Sequence, residues 1–241
     1  MKPSEKPVSE APAPLASSQP AEPEKESLLQ HLRTIASAVL LALCIRTCLA
    51  EPFEIEGPSM EPTLLSGDRV VVEKFRYGLF LPLREHADLN WGSPEPGDVV
   101  VLRSPADGVD IIKRVIGVAG DEIELRGGDV YRNGKVVQTD QLGKCTTGTG
   151  ALQPGCRVYE SKIEDKTFRF STAFRALDEL GGRVPDKHIY VLGDHRDHSN
   201  DSRNPAVGMI PVTAIKGRAL TIYWSSGESG VRWDRTFQRV Q

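Results

Sequence analysis

The order of apolar and polar positions divides the chain into three parts. Residues 1–26 are rich in Pro and Ala and have almost no large apolar side chain. Residues 27–50 contain the uncharged run Thr34–Ile45. From residue 51 onward, short runs of β-branched and other apolar residues recur about every ten residues, separated by Gly and Pro. The pattern predicts a disordered tail (1–26), a helix (27–50) and a mostly β domain (51–241).

The helical segment leaves three interpretations open. Thr34–Ile45 has 12 residues, whereas a membrane span needs roughly 20. If the flanking Arg33 and Arg46 extend their charged ends toward the headgroups, the segment lengthens to Leu28–Leu49, about 22 residues. It is then a membrane anchor; the alternatives are a cleaved signal peptide and a buried helix. The long tail ahead of the apolar run disfavours a signal peptide.

The β domain has its own internal pattern. Asn133-Gly134 between two apolar runs predicts a hairpin. A helical pattern is found around Ala173–Leu180, and the Gly- and Thr-rich stretch 125–187 is interpreted as an inserted smaller β subdomain.

Composition excludes several classes of protein. The net charge is −3, with both signs mixed along the chain, which argues against a nucleic-acid-binding protein that relies on bulk positive charge. Four cysteines without a C-x-x-C pair do not form a disulfide scaffold or a zinc site.

Three clusters are candidates for chemistry. Ser59 lies in a Pro- and Gly-containing turn, Gly57 to Leu64. Lys113 lies between apolar residues of a predicted strand, where the structural alternative is a lysine at a sheet edge or one whose charged end extends to solvent. Gly193 to Arg203 combines three Asp, two His and two Arg immediately after an apolar strand. The third cluster alone also suits a metal site, and Ser59 with His195 or His198 would suit a Ser-His-Asp hydrolase. Neither alternative explains the lysine.

In this order, the clusters resemble the conserved blocks of type I signal peptidases, a family of membrane-bound peptidases with a Ser/Lys dyad. The similar segments are Glu51–Leu64, Pro96–Val100, Lys113–Asp121 and Gly193–Arg203. The resemblance implies a signal-peptidase-like β-fold, no cofactor and no metal. It also implies that Ser59 is the nucleophile and Lys113 the general base, a role that a lysine can fill only when neutral.

The resemblance also implies roles for neighbouring residues. Ser199 would orient the lysine, and a charge network would support the site through Asp194, Arg196, Asp201 and Arg203. Shallow pockets for small side chains would be lined by Phe53, Ile55, Leu64, Ile111 and Ile112. Three positions depart from the family pattern: Gly57 replaces a frequent Ser, His195 and His198 replace Asn, and Ala119 replaces Pro. We expect Gly57→Ser to keep or raise activity, unless the glycine is needed for its backbone conformation.

The implied substrates are the signal peptides of exported preproteins, cleaved after an Ala-x-Ala-like sequence. The implied location is the cell (inner) membrane: a single-pass, monomeric protein with a cytoplasmic N-terminus, a lipid bilayer around its anchor and an extracytoplasmic (periplasmic) catalytic domain. In that compartment disulfides persist, so Cys145 and Cys156, which flank a Gly- and Thr-rich turn, are expected to pair. Two alternatives remain: a self-cleaving SOS-type Ser/Lys peptidase and a non-catalytic β-rich envelope protein.

Overall fold

The computed structural model describes residues 28–48, 50–79, 89–90, 92–174 and 179–241. Over these ranges the chain forms one α-helix and seventeen β-strands, so the mostly β prediction is confirmed. The predicted tail, 1–26, lies outside the described residues. The elements are α1 (Leu28–Cys48), β1 (Ala50–Glu54), β2 (Asp68–Glu73), β3 (Gly78–Leu79), β4 (Leu89–Asn90), β5 (Val99–Arg103), β6 (Asp110–Val118), β7 (Glu122–Arg126), β8 (Asp129–Arg132), β9 (Lys135–Val136), β10 (Thr139–Lys144), β11 (Arg157–Ile163), β12 (Lys166–Thr172), β13 (Glu179–Arg183), β14 (His188–Leu192), β15 (Ile210–Pro211), β16 (Ile215–Gly227) and β17 (Gly230–Val231). Short 3-10 turns cover Thr149–Leu152, Arg196–His198 and Val212–Ala214.

Helix α1 falls within the predicted segment 27–50. Large apolar side chains are exposed along it: Leu28, Leu29, Leu32, Ile35, Val39, Leu40 and Leu41. In the part of the chain that the structure describes, no helix has both the length and the apolarity of a membrane span. The helix is therefore observed, and its role as a transmembrane anchor stays a prediction.

The largest sheet is antiparallel and places Lys113 on an interior strand. Its order is β1-β2-β16-β5-β6-β14-β15, with β17 added beside β16. Strand β6 pairs with β5 from Asp110 to Arg114, but its ladder with β14 runs only from Arg114 to Val118. Residues 110–113 therefore have a ladder partner on one side only, among the strands described. The alternative of an edge lysine is correct only for this short stretch.

Two of the three smaller sheets share a core with the large one, and the third is the two-stranded pair β3-β4. A three-stranded sheet has the order β10-β11-β12, and a four-stranded sheet has the order β13-β7-β8-β9. Ile123, Phe168 and Phe170 from these sheets form one hydrophobic cluster with Ile116 and Leu192 from the large sheet. Burial of such side chains is the main stabilising contribution. The inserted subdomain at 125–187 remains a prediction.

Two local predictions have opposite outcomes. The Asn133-Gly134 hairpin is confirmed, since both residues adopt positive φ and connect β8 to β9. The prediction of a helix around Ala173–Leu180 is wrong for those residues of the range that the structure describes. Residues 175–178 lie outside the described residues, and β13 begins at Glu179. Gly181 approaches the Ile123 carbonyl so closely that a Cβ would overlap it, so pairing with β7 overrides the weak helical pattern.

Candidate active site

Ser59 lies in the turn that follows β1, defined here as the Ser59 turn (residues 57–64). The turn is closed by hydrogen bonds from Glu61 N to Pro58 O (3.0 Å) and from Leu64 N to Met60 O (2.9 Å). Met60 and Leu64 are fully buried, whereas Ser59 is partly exposed. The turn is therefore anchored in the core while its serine remains accessible.

Lys113 reaches the Ser59 hydroxyl from β6. Its Nζ donates hydrogen bonds to Ser59 Oγ (2.9 Å) and to the Ile112 carbonyl (2.9 Å). The residue is only 3% exposed. Burial lowers the pKa of Lys113 to about 8, and the carboxylates of Asp201 and Asp194 limit that decrease. A substantial fraction of the amine is therefore neutral near neutral pH and can accept a proton from Ser59.

Asp194 is paired with Arg114, a residue that the sequence analysis did not assign. The guanidinium makes two hydrogen bonds to the carboxylate, Nε to Oδ1 (2.8 Å) and Nη2 to Oδ2 (2.6 Å), and both side chains are 1% exposed. Arg114 also donates to the Gly97 carbonyl, and Thr63 Oγ1 donates to Asp194 Oδ2 (2.5 Å). The sequence did contain a signal for this pair: an arginine in an apolar strand indicates a buried guanidinium, which requires a hydrogen-bond acceptor.

The predicted charge network is therefore divided into two parts. Asp201 accepts two hydrogen bonds from the Arg203 guanidinium (2.8 and 2.9 Å), one from Arg203 N (3.3 Å) and one from Gly193 N (2.9 Å). Arg203 also donates to the Arg196 carbonyl (2.6 Å). Arg196 donates to the Gly193 carbonyl (3.2 Å) and stacks on the Phe170 ring, and burial lowers its pKa to about 10. Asp194 makes its hydrogen bonds with Arg114 and Thr63 instead, and it acts on Arg196 only through its charge.

The role of Ser199 in orienting Lys113 stays a prediction. Its Oγ is buried and forms no hydrogen bond to Lys113, but its interaction with the Asp201 carboxylate helps to lower the pKa of that group. Ser199 packs against Gly193, where an added Cβ would lie 2.1 Å from the Ser199 Oγ. The Nζ of Lys113 is instead held by Ser59 and its own strand.

The five predicted substrate-binding residues are not one exposed surface. Ile55, Leu64 and Ile112 are almost fully buried in one hydrophobic cluster, against which Phe53 packs. Ile111 packs against a different cluster. The reason is the twofold period of a strand, which directs Ile111 and Ile112 to opposite faces. The substrate pocket itself stays a prediction; of its five residues only Phe53 and Ile111 retain exposed area, and the other three lie beneath the surface.

The two histidines of the third cluster do not contact the dyad through their rings. His195 is fully buried, with Nε2 lying 3.1 Å from Gln153 Oε1 and Nδ1 lying 3.6 Å from Glu61 Oε2. The His198 ring packs edge-on against the His195 ring. Among the described residues, no three His, Cys, Asp or Glu side chains are grouped as metal ligands. The neighbouring carboxylates of Asp194, Asp201 and Asp197 accept hydrogen bonds from Arg114, Arg203 and Thr172, respectively.

Two further predicted positions have defined geometry. Cys145 and Cys156 form a disulfide with a Cα–Cα distance of 5.5 Å. Gly57 has a φ of +82°, although a Cβ at this position would meet nothing within 4 Å. A serine would have space at position 57 but an unfavourable backbone conformation. The expectation that Gly57→Ser keeps full activity is therefore revised toward a loss.

Comparison with known proteins identifies the family. The chain matches the model described as signal peptidase, peptidase S26, over residues 28–224. It is 33% identical over 230 residues to a signal peptidase I of Pseudomonas fluorescens, covering 90% of this chain and 80% of the relative. It is 32% identical over 215 residues to a signal peptidase I of Pseudomonas aeruginosa, covering 83% and 74%. A crystal structure of a signal peptidase I from Enterococcus faecalis shares 28% identity and covers 52% of this chain and 96% of that chain. Its TM-score of 0.33 is too low to compare the two folds. The chain therefore belongs to the signal peptidase family, peptidase S26, whose members are serine endopeptidases.

Proposed function

We propose that this protein removes N-terminal signal peptides from exported preproteins, with Ser59 as nucleophile and Lys113 as general base. The observation that carries the proposal is the 2.9 Å contact between Lys113 Nζ and Ser59 Oγ. Lys113 is buried and its pKa is lowered to about 8, so the lysine can be neutral when the serine reacts. Membership of the signal peptidase family supports the reaction class.

The reaction follows from the two side chains. Neutral Lys113 accepts the Ser59 proton as Oγ attacks the scissile carbonyl, and the resulting ammonium gives the proton to the leaving amine. Water then hydrolyses the acyl-enzyme, and Lys113 again transfers the proton. Asp201 and Asp194 stabilise the transient ammonium. The backbone N–H of Ser59 is the proposed donor to the oxyanion, since no side-chain hydroxyl is available from Gly57.

The unpaired edge of β6 suits an extended peptide. Residues 110–113 lack a ladder partner on the β14 side among the strands described, so their main-chain groups can pair with a substrate strand that ends beside Ser59. In an extended peptide, residues two apart face the same side. Two small residues separated by one variable residue would therefore face the same side of β6, beside the partly exposed Phe53 that covers the buried cluster of Ile55, Leu64 and Ile112. This geometry supports cleavage after an Ala-x-Ala-like sequence.

The proposed setting is the inner membrane, with α1 as a single-pass anchor and the β domain on the extracytoplasmic side. The support is the row of exposed large apolar residues along α1 between Leu28 and Leu41. Alkaline carbonate extraction tests this proposal: the full chain should remain in the membrane pellet. Recovery in the supernatant would contradict the anchor without affecting the proposed chemistry.

A direct assay tests the catalytic proposal. The detergent-purified full chain is incubated with a preprotein, and the new N-terminus is mapped by mass spectrometry. Cleavage should be abolished by Ser59→Ala, which removes the nucleophile, and by Lys113→Ala, which removes the base. Lys113→Arg should also be inactive, because a guanidinium is not deprotonated in this pH range. Ser66→Ala and Lys135→Ala, at exposed positions, are the matched controls. Normal cleavage by Lys113→Ala would contradict the dyad, and shortening of the chain without preprotein would indicate a self-cleaving peptidase.

A further inference from the structure

Glu61 is a buried carboxylate two residues from the nucleophile, and the mechanism above does not use it. It is 4% exposed, and no lysine or arginine pairs with it among the described residues. Its Oε2 accepts hydrogen bonds from Thr149 Oγ1 (2.8 Å) and Gly150 N (3.3 Å) and lies 3.6 Å from His195 Nδ1. Burial raises the pKa of Glu61, but these three partners outweigh that effect and lower it below its usual value. The carboxylate is therefore held as an anion by a distant segment.

That segment is the disulfide loop, defined as residues 145–156. The disulfide joins its two ends, and its 3-10 turn (Thr149–Leu152) supplies the donors to Glu61. Gly148 allows the loop to come close, because a Cβ there would lie 2.2–2.3 Å from the carboxyl atoms of Glu61. Gly150 is buried beside the disulfide, where a Cβ would be 3.2 Å from Cys156 Sγ. The loop backbone thus rests directly on the carboxylate.

The same contacts extend to Ser59. The Ser59 carbonyl accepts a hydrogen bond from His195 N (3.0 Å), and the His195 ring touches both Glu61 and Gln153 of the disulfide loop. On the other side, the Glu61 carbonyl accepts from Ser171 Oγ (3.1 Å). The main chain from Ser59 to Glu61 is therefore held by His195 and Ser171, and the Glu61 side chain connects it to the disulfide loop.

We propose that Glu61 is a positioning residue for the peptidase reaction: it docks the disulfide loop against the Ser59 turn, and this contact sets the place of Ser59 Oγ relative to Lys113 Nζ. The inference rests on the proposed function. Glu61 acts through the turn and does not touch the reacting atoms. Because misplacement of a reacting group by about 1 Å can cost about a hundredfold in rate, loosening the contact should act mainly on kcat.

Thr149→Ala tests the proposal, with Thr147→Ala as its control. Both threonines are exposed, but only Thr149 donates to Glu61 among the hydrogen bonds of the described residues. With the full chain and a signal-peptide substrate, Thr149→Ala should lower kcat about tenfold or more with little change in KM. Thr147→Ala should keep the wild-type kcat, and Thr149→Ser should restore it because the hydroxyl is returned.

A second pair of variants perturbs the contact sterically. Gly148 and Gly134 have φ of +62° and +72°, so alanine is strained at both positions. Only at Gly148 would the added Cβ collide with Glu61; at Gly134 it meets nothing within 4 Å. Gly148→Ala should therefore lower kcat well below that of Gly134→Ala.

Three measurements separate positioning from general destabilisation. Thr149→Ala should keep the wild-type melting temperature, and the midpoint of its pH–kcat profile should stay unchanged because Lys113 is not altered. A wild-type kcat in Thr149→Ala would overturn the proposal. So would a loss that follows the melting temperature and that Thr149→Ser does not restore. An inactive wild-type protein would instead contradict the proposed function itself.

Discussion

The buried amine of Lys113 predicts a specific dependence of activity on pH. The decrease of its pKa from 10.5 to about 8 corresponds to about 3 kcal/mol in favour of the neutral amine. At pH 7.5 about a quarter of the molecules then carry a neutral Lys113, compared with roughly 0.1% for an ordinary lysine. We therefore expect kcat/KM to rise about tenfold per pH unit at low pH and to level off with a midpoint near pH 8.

Asp201→Asn tests whether nearby charge contributes to this pKa. Burial tends to raise the pKa of Asp201, but Arg203 and Gly193 hold it below its usual value, so Asp201 is ionised throughout. Its negative charge raises the pKa of Lys113, and asparagine removes the charge while keeping an acceptor for Gly193 N. The midpoint should therefore shift to lower pH.

The assay is cleavage of an internally quenched signal-peptide substrate from about pH 6 to about pH 10 at constant ionic strength. Circular dichroism at each pH provides the control that the β domain remains folded. A wild-type midpoint near 10.5 would show that the lysine is not desolvated. A midpoint near the ordinary imidazole value of about 6.5 would indicate histidine as the base. An unchanged midpoint in Asp201→Asn would refute the electrostatic part of the reasoning.

Four other predictions concern stability and the Ser59 turn. Because the folded-state pKa of Lys113 lies below its unfolded value of 10.5, the ammonium destabilises the fold below about pH 8 and this cost disappears as pH rises toward 10.5. Lys113→Met should therefore be inactive but up to about 3 kcal/mol more stable at pH 7 in urea unfolding; equal stability would contradict the buried charge. Asp194→Ala leaves the Arg114 guanidinium buried without its carboxylate and should cost about 3–5 kcal/mol, and a loss below about 1 kcal/mol would show that the pair is not desolvated. Replacing Cys145 and Cys156 together by alanine should cost about 2–3 kcal/mol in thermal unfolding, and a reductant should then have no further effect. Gly57→Ser should lose about 1 kcal/mol of stability and some activity because of the positive φ, and an unchanged kcat would show that the turn adapts.

Local features of this fold could be predicted from the sequence. β-Branched runs indicated the strands of the large sheet, and Asn133-Gly134 indicated a hairpin, because each signal depends on neighbouring residues alone. The proximity of Ser59 to Lys113, 54 residues apart, was expected only through the family resemblance. Nothing in the spacing itself brings a turn after β1 beside an interior strand.

Contacts that depend on strand order were not predictable. Arg114 and Asp194 are 80 residues apart and meet because β6 and β14 are neighbours in the sheet. The sequence assigned no role to Glu61, whose partners lie 88 and 89 residues away in the disulfide loop. The assignment of Ile111 and Ile112 to one pocket stays a prediction, but the alternation of a strand directs these adjacent side chains to different hydrophobic clusters.

The adjacency of Lys113 and Arg114 has a consequence for how reliably β6 assembles. Their cross-strand partners, Val100 and Val99, belong to different hydrophobic clusters, so the two cations occupy opposite faces of one strand. A one-residue shift of β6 in one direction would place the permanently charged Arg114 beside Ser59 and Val115 opposite Asp194. A shift in the other direction would place Ile112 beside Ser59 and Lys113 opposite Asp194. Such a misfolded sheet would lose the bidentate Arg114–Asp194 contact at the same time as the titratable base. The inactive register therefore lacks the stabilising ion pair and is less stable than the native one. The Arg114–Asp194 contact thus favours the pairing of β6 that also places Lys113 beside Ser59.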